Sequence, residues 1–541
     1  MTSTSIRDTA GVAPTIDDAR RRRAILWAVG IALMAVVASV TGLNVAQPYL
    51  ATTFDISQGE VLWIINIYTL TLAAMLLPLG AAGDRWGRKP VLMAGLAVFG
   101  IANIAATLAP TVEVMLAARM LSGVGAALIM PVTLSVITAS FPDQERSKAI
   151  GIWSAVAAGG GVLGMFLSAL LVDVATWRWL FALPIVLTLA SAAISLRSVP
   201  NSREVAAGRF DLFGTLTSIF AAVGFTYALH EAPTLGWADP VILITLAVAV
   251  AATAAFILWE RHTPHPLLNV RHFRTRNLSS GTTLLLILFG IQGGVFLVLY
   301  PFLQVILGWS GLRTTLGMMP MALLMMASSG LAPKLAARIG LRATMVTGLT
   351  LVGVGLASMA ALVSTTAGYL TLLPGLIAMG LGAGLAMTPS TEAITSSLPR
   401  QEQGVASALN DLTRELGAAL GIALLGGLLA AGYQNAINTR LDGVPTGLAD
   451  TAREGIANAT AVSSTAGSYS QQILTAAREA FIAGWQHTMW VGVAVIAALT
   501  LFILINGPKK VAATEEDEHP AAADATAADS PDSDDSAAAA R

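Results

Sequence analysis

The chain has 541 residues, 55% of them hydrophobic and only 12% charged, with no cysteine and a formal net charge of -1. Soluble globular chains carry about 25% charged residues, so this composition, with a mean hydropathy of +0.70, reads as an integral membrane protein. It excludes disulfide frameworks and thiolate metal sites, and a charge this balanced gives no sign of a nucleic-acid partner.

The first 23 residues are polar and close on four arginines, Arg20 to Arg23. The apolar run that follows has no small-residue cleavage site, so it reads as a retained first span rather than a signal peptide. A bilayer-crossing helix needs about 20 mostly apolar residues. Fourteen runs qualify, near 24–50, 59–80, 90–109, 111–137, 148–171, 178–197, 211–231, 239–259, 277–303, 312–337, 342–363, 369–396, 404–432 and 486–506. The segment 433–485 is the longest loop, rich in Ala, Ser and Thr, and reads either as short helices or as a lid. Residues 511–541 are rich in Ala, Asp and Glu and almost free of large apolar groups. That composition predicts a disordered acidic tail.

Cations gather in alternate loops. Arg85, Arg88 and Lys89 lie between spans 2 and 3, Arg146 and Lys148 after span 4, and Arg197, Arg203 and Arg209 after span 6. Arg261, Arg271, Arg274 and Arg276 follow span 8. Lys334, Arg338 and Arg342 join spans 10 and 11, and Lys509 and Lys510 follow span 14. The intervening loops hold few, mainly Arg178 and Arg313. The positive-inside rule then places both termini in the cytoplasm, as an even number of spans requires.

One basic loop recurs. "GDRWGRKPVLMAG" (83–95) falls on "AARIGLRATMVTG" (336–348), pairing Arg85 with Arg338, Gly87 with Gly340 and Lys89 with Arg342, while Asp84 meets Ala337. Further on, "GVGAALIM" (123–130) meets "GLGAGLAM" (380–387). Two related bundles of six spans with two extra spans between them account for fourteen. Repeats facing each other across a cavity are a transporter architecture, with substrate bound near the midplane. The expected fold is therefore all-α: a cytoplasmic arm (1–23), an N-terminal six-helix bundle (24–197), a two-helix insert (198–276), a C-terminal six-helix bundle (277–510) and the tail.

The loop "GDRWGRKP" (83–90) resembles the loop 2–3 motif of the major facilitator superfamily. The whole of about residues 24–506 resembles its 14-spanner drug:proton antiporter family. "NVAQPYL" in span 1, "WIINIYTL" in span 2, "ARMLSGVGAALIMP" in span 4 and "FPDQERSKAIGIWSAV" entering span 5 carry the likeness. So do "WRWLF", "YPFLQVILGWS" and "GVASALNDLTRELGAALG". The resemblance implies that Asp84 docks on the start of a helix in the other half and latches the cytoplasmic side. Arg85, Arg88 and Lys89 would pair with Asp143 and Glu145 of the next cytoplasmic loop, and Gly83 and Gly87 would permit a tight turn. The plainer reading of the same loop is a topological anchor whose exposed ion pairs contribute little.

Spans 4 and 5 carry small residues, among them Gly123, Gly125, Gly160 and Gly164, which allow close helix packing in a membrane. In the family, span 5 holds an antiporter motif with a Gly-Pro pair. Here the pair is Gly164-Met165, which leaves close packing and removes the proline kink.

Charges within spans are costly, about 2.5–3.5 kcal/mol at the bilayer centre, and are functional hypotheses by default. Span 13 carries Asn410, Asp411, Arg414 and Glu415. Asp411 and Glu415 share a helical face, and Arg414 lies three residues from Asp411. An acid there either loads and releases a proton or stays permanently paired and fixes helix orientation. Arg119 in span 4 occupies the position of the family's motif arginine, which the resemblance ties to proton handling. Where the family often has an acid in span 1, this chain has Ser39. Asn44, Gln47, Tyr49, Asn66, Tyr68, Gln292 and Gln304 are candidates for the cavity wall or for interhelical hydrogen bonds. Trp63, Trp153, Tyr300 and Phe302 are candidates to stack on a flat or cationic ligand. Trp177, Trp179, Trp237 and Trp309 read as an interfacial belt.

No G-x-x-x-x-G-K-[ST] loop occurs, so ATP drive within the chain is not expected. No metal constellation, cofactor motif or catalytic cluster is evident, which leaves an intramembrane enzyme or sensor as a remote alternative. The function expected is a proton-coupled secondary active exporter of lipophilic compounds, cations among them, in the plasma membrane, working as a monomer. The alternative is a dedicated exporter of one metabolite, amino acid or lipid precursor.

Overall fold

Inside a bilayer each backbone polar group must find its partner within the protein, which turns long apolar runs into helices. The computed structural model describes residues 16, 18–202 and 211–508, without the side chains of residues 44, 45, 48, 58, 162, 169, 172–174 and 234. Arg203, Arg209, Lys509, Lys510, the arm before residue 16, the 511–541 tail and the Asn44 side chain thus lie outside the described residues. Every regular element described is helical: α1 (Ala19–Phe54), α2 (Gln58–Trp86), α3 (Arg88–Thr107), α4 (Val112–Ser140), α5 (Asp143–Val174), α6 (Ala182–Ser198), α7 (Leu212–Leu235), α8 (Pro240–Glu260), α9 (Arg276–Pro301), α10 (Gly311–Ile339), α11 (Leu341–Leu362), α12 (Tyr369–Thr395), α13 (Gln403–Asn438), α14 (Thr446–Arg453), α15 (Ile456–Ser463) and α16 (Ser470–Asn506), with short 3-10 and π turns between. Among the described residues, fourteen helices are long and apolar enough to cross a membrane, in the order expected from the sequence.

Local chemistry sets the ends. Asp55 stops α1 in a left-handed conformation (φ 52). Ser57 and Glu60 then form a reciprocal capping box at the start of α2, satisfying two orphan N–H groups. Asp239 caps α8, with Pro240 in its first turn. The repeated loop is repeated in geometry too. Gly87 and Gly340 stand at the α2/α3 and α10/α11 junctions with φ of 103 and 90, a region that side-chain-bearing residues rarely adopt.

The helices pack as two families. α3 lies on α4, α2 on α4 and α1 on α5 in the first half; α10 lies on α12, α11 on α12 and α9 on α13 in the second. Two seams, α2 with α13 and α5 with α10, join them, and α7 covers the first seam while α8 packs on α7. Enclosure follows this plan: 78% of the apolar window of α4 is buried, against 17% for α8. Glycines permit the close seams. A methyl on Gly125 would sit 2.7 Å from Phe99 N, and one on Gly123 would sit 2.7 Å from Tyr68 O. Gly164 faces Ala38, and Gly160 faces Met34 and Val37.

The 433–485 segment is mostly helical. α13 runs on to Asn438, α14 and α15 follow, and α16 begins at Ser470, ahead of the expected start of span 14. Leu441, Ala449, Ala452, Ile456 and Ala459 are buried. The Tyr433 hydroxyl donates to Ala452 O (2.8 Å), and Arg440 pairs with Glu479 (3.1 Å).

Candidate functional site: a latch and a buried charge pair at the junction of the halves

The latch begins with a helix that lacks a cap of its own. No side chain from its own N-cap residue satisfies the first N–H groups of α13. Asp84, at the end of α2, supplies the missing acceptor: its Oδ2 accepts from Gly404 N (2.7 Å) and Val405 N (3.2 Å). A carboxylate at a helix N-terminus stabilises by about 0.3–2 kcal/mol through the helix dipole, more when partly buried, and Asp84 is 5% exposed. Arg88 holds its other oxygen at 3.2 Å and also donates to Arg400 O (3.2 Å). Two glycines make the approach possible. A methyl on Gly404 would lie 2.7 Å from Asp84 Oδ2 and nearer still to Gly80 O. Gly83 packs on Val132.

The other loop cations differ from expectation. Glu145 pairs with Arg22 of α1 (2.9 Å), and Asp143 pairs with Arg146 and with Arg400 of the second half (3.5 Å). Lys89 Nζ instead donates to Leu196 O at the end of α6 (2.7 Å). Asp143 and Glu145 are therefore not the described partners of Arg88 or Lys89: they sit in the first turn of α5, where α1 and the α12/α13 turn bring other arginines nearer. Asp143 still bridges the halves, through Arg400.

A further cross-half contact escaped sequence reasoning. Ser147 of α5 donates to Glu392 of α12. "ITASFP" (137–142) matches "ITSSLP" (394–399), and Ser147 and Gly404 are each the fifth residue after the closing proline. Repeat-related helix starts thus each meet a carboxylate from the opposite half, one at the end of α2 and one near the end of α12. The signal for Glu392 was present, a lone acid in an apolar span.

Deeper in the membrane lie two charged centres. Arg119 is fully buried. It donates to Ser39 Oγ (3.1 Å), Ser39 O (3.5 Å) and Ile64 O (3.4 Å), and its guanidinium lies over the Tyr68 ring at 4.3 Å. No carboxylate pairs with it among the described residues. Ser39, which stands at the family's acid position, touches Arg119 directly. In α13, Asp411 is fully buried; Asn410 Nδ2 donates to its Oδ1 (3.1 Å), and Arg414 Nη1 approaches that oxygen at 3.7 Å. Asp411 Oδ2 and Arg414 Nη1 make no hydrogen bond among the described residues. Arg414 lies over Phe289 (4.5 Å) and, across the seam, over Trp153 of α5 (5.6 Å). Thr391 anchors Asn410 at 3.0 Å. Glu415 is half-buried on the same face and lies within electrostatic reach of Arg414 and of Tyr68. The helices that carry Tyr68 and Arg119, α2 and α4, both pack on α13, so the two centres lie on elements that meet at the junction.

The remaining candidates divide. Gln292 meets Met325 (3.5 Å), and the Tyr300 hydroxyl meets Met165 across the halves. Gln47 and Asn66 are half-buried; Tyr49 and Gln304 are exposed at the end opposite the arginines. Trp63 stacks on Tyr227 of α7 (5.8 Å), so its face is occupied by the insert. Tyr68 and Trp153 are buried as supports for the two arginines. Phe302 is buried against Trp485 (5.1 Å), inside the second half rather than on a ligand path. Trp177 is also buried, donating to Thr53 (3.1 Å), while Trp179 and Trp237 are exposed.

Comparison with known proteins decides the family. A family model described as Major Facilitator Superfamily matches residues 28–422. This chain belongs to the Major Facilitator Superfamily. It is 32% identical over 468 residues to the methyl viologen resistance protein SmvA of Salmonella typhimurium, covering 84% of this chain and 91% of that one. It is also 32% identical over 466 residues to the multidrug efflux pump LfrA of Mycolicibacterium smegmatis, with 85% and 90% covered. The superfamily fold extends to the solved structure of the proton:xylose symporter XylE bound to 6-bromo-6-deoxy-D-glucose. That match has a TM-score of 0.58 at 14% identity, covering 90% of this chain and 96% of that one. A superfamily member with fourteen spans is a multi-span membrane transporter rather than an enzyme.

Proposed function

We propose that this protein exports lipophilic drugs or toxic compounds, cations among them, by alternating access driven by proton influx. The likeness to SmvA and LfrA supports the cargo class. The observation that carries the coupling is Asp411, a fully buried acid at the junction of the halves with one oxygen unpartnered among the described residues and Arg414 held short of hydrogen-bonding contact. Breaking a buried ion pair outright costs about 3–5 kcal/mol. A pair already loose, with aromatic faces beside the arginine, can exchange its partner for a proton or a cationic cargo at lower cost.

The latch supports a state closed at the arginine-rich end, which the distribution of cations assigns to the cytoplasm, with both termini there and the plasma membrane as location. In this state Asp84 caps α13; opening inward removes that cap and frees two buried N–H groups. The protein works as a monomer, its path lying between its own two halves.

The test is dye efflux from proteoliposomes across a panel of lipophilic cations and neutral drugs, with and without an imposed pH gradient. Gradient-dependent efflux of several chemically distinct compounds is expected. Transport indifferent to the gradient would defeat the coupling. Transport of one compound alone would favour the second reading, a dedicated exporter of one metabolite, for which Ser39 in place of an acid beside Arg119 is the favouring observation.

A further inference from the structure

Away from the junction, the loop that leads from the two-helix insert into α9 folds back against the end of α8. Between them lies a cavity of about 1160 Å³. Thr253, Phe256 and Ile257 of α8 form an apolar wall, continued by Leu268, Val270 and Phe273, and Arg261, Arg271, Arg274 and His262 stand at its mouth. None of the described residues lining it is acidic. The nearest acid in sequence, Glu260, is 3% exposed and turned away, accepting from Leu268 N (3.2 Å) and facing Gly214 at the start of α7. The Arg261 and Arg274 guanidinium groups have no partner among the described residues, and Arg271 binds only a backbone carbonyl, Arg261 O (3.2 Å). α8 is the least enclosed span, and Ile257 in this wall is 41% exposed while Phe256 is buried, so the cavity meets the bilayer at its Ile257 edge, and the arginines sit at the level of the helix end.

We propose that this cavity binds an anionic phospholipid of the leaflet at the arginine-rich face. The phosphate would sit among Arg261, Arg271 and Arg274, and an acyl chain would lie along Thr253, Phe256 and Ile257. Basic pockets between spans on the cytoplasmic side suit anionic headgroups, and each juxtamembrane cation adds attraction to such a surface. The volume argues for a lipid over a free anion. It exceeds the roughly 300–1,000 Å³ of ordinary small-molecule pockets, and inorganic phosphate would leave the apolar wall bare. The site is independent of the export reading, since it touches neither Asp411 nor the latch.

The test is native mass spectrometry of the full-length, delipidated protein titrated with phosphatidylglycerol or phosphatidylcholine. Saturable retention of phosphatidylglycerol, well above that of phosphatidylcholine and unaffected by millimolar inorganic phosphate, is expected. The triple variant Arg261→Gln, Arg271→Gln, Arg274→Gln should lose most of it, each exposed single variant part of it, and the triple Arg→Lys variant should keep it. Lys334→Gln with Arg338→Gln, on a different basic loop, should bind as wild type. Equal retention of the two lipids, undiminished binding by the Gln variants, displacement by phosphate, or equal loss in the Lys334/Arg338 variant would overturn the proposal. If the triple Gln variant does not fold, the single variants and the Lys variant still decide.

Discussion

The two charged centres inside the membrane are unlike in a way that assigns them different work. Arg119, in the first half, is a cation held, among the described residues, by neutral acceptors alone: two atoms of Ser39, the carbonyl of Ile64 and the face of Tyr68. The α13 centre of the second half holds both signs, Asp411 and Arg414, with Glu415 beside them and hydrogen-bonding capacity left over. A fixed cation whose donors are engaged shapes the field of the pathway. A loosely paired acid can change its state. Under the proposed proton-driven export, this contrast assigns proton exchange to α13 and a constant positive wall to the first half.

The comparison breaks most readily at Asp411. Asp411→Asn should lower gradient-driven efflux by on the order of 100-fold, the scale of losing a proton-transferring group, while leaving counterflow without a gradient largely intact. Equal loss of both would make the residue structural. Ser39→Asp sharpens the contrast by giving Arg119 a carboxylate. In the Asp411→Asn background it should restore no coupling; restored coupling would show that the acid can work from either half. Arg119→Gln should lower transport about tenfold, equivalent to roughly 1.4 kcal/mol, without abolishing the response to the gradient, as read in the same assay.

Smaller effects are expected at the latches. The chain has no cysteine, so Ala408→Cys, buried beside Gly80 under the Asp84 contact, reports opening cleanly. Asp84→Ala should speed its labelling by a thiol reagent several-fold, since a carboxylate capping a helix N-terminus contributes about 0.3–2 kcal/mol to the closed state. Glu392→Gln, which keeps a hydrogen-bond acceptor for Ser147, should change that rate by no more than about twofold.

Charge in an apolar chain is conspicuous, and that made the spans, the repeated loop, Asp84 and the α13 cluster legible before any coordinates. Geometry repeated the loop down to the backbone of Gly87 and Gly340. What was not legible was choice among partners. Asp143 and Glu145 lie near several arginines in the folded protein, and sequence distance says nothing of whether Arg22 or Arg400 arrives first. Glu392 was visible as a lone acid in an apolar span, but a single acid has no spacing from which to read its partner, and the partner of Trp63, Tyr227, comes from the insert. The 433–485 segment looked like a loop because Ala, Ser and Thr give weak periodicity, yet its apolar residues suffice to seat two short helices against α13 and α16.

The most direct measurement is proton release from the purified protein in weakly buffered detergent solution when a transported compound is added. A proton is expected to leave on binding in the wild type and none in Asp411→Asn, with binding itself preserved. A wild type that binds the compound without releasing a proton, or an Asp411→Asn variant that releases it undiminished, would contradict the assignment of coupling to α13.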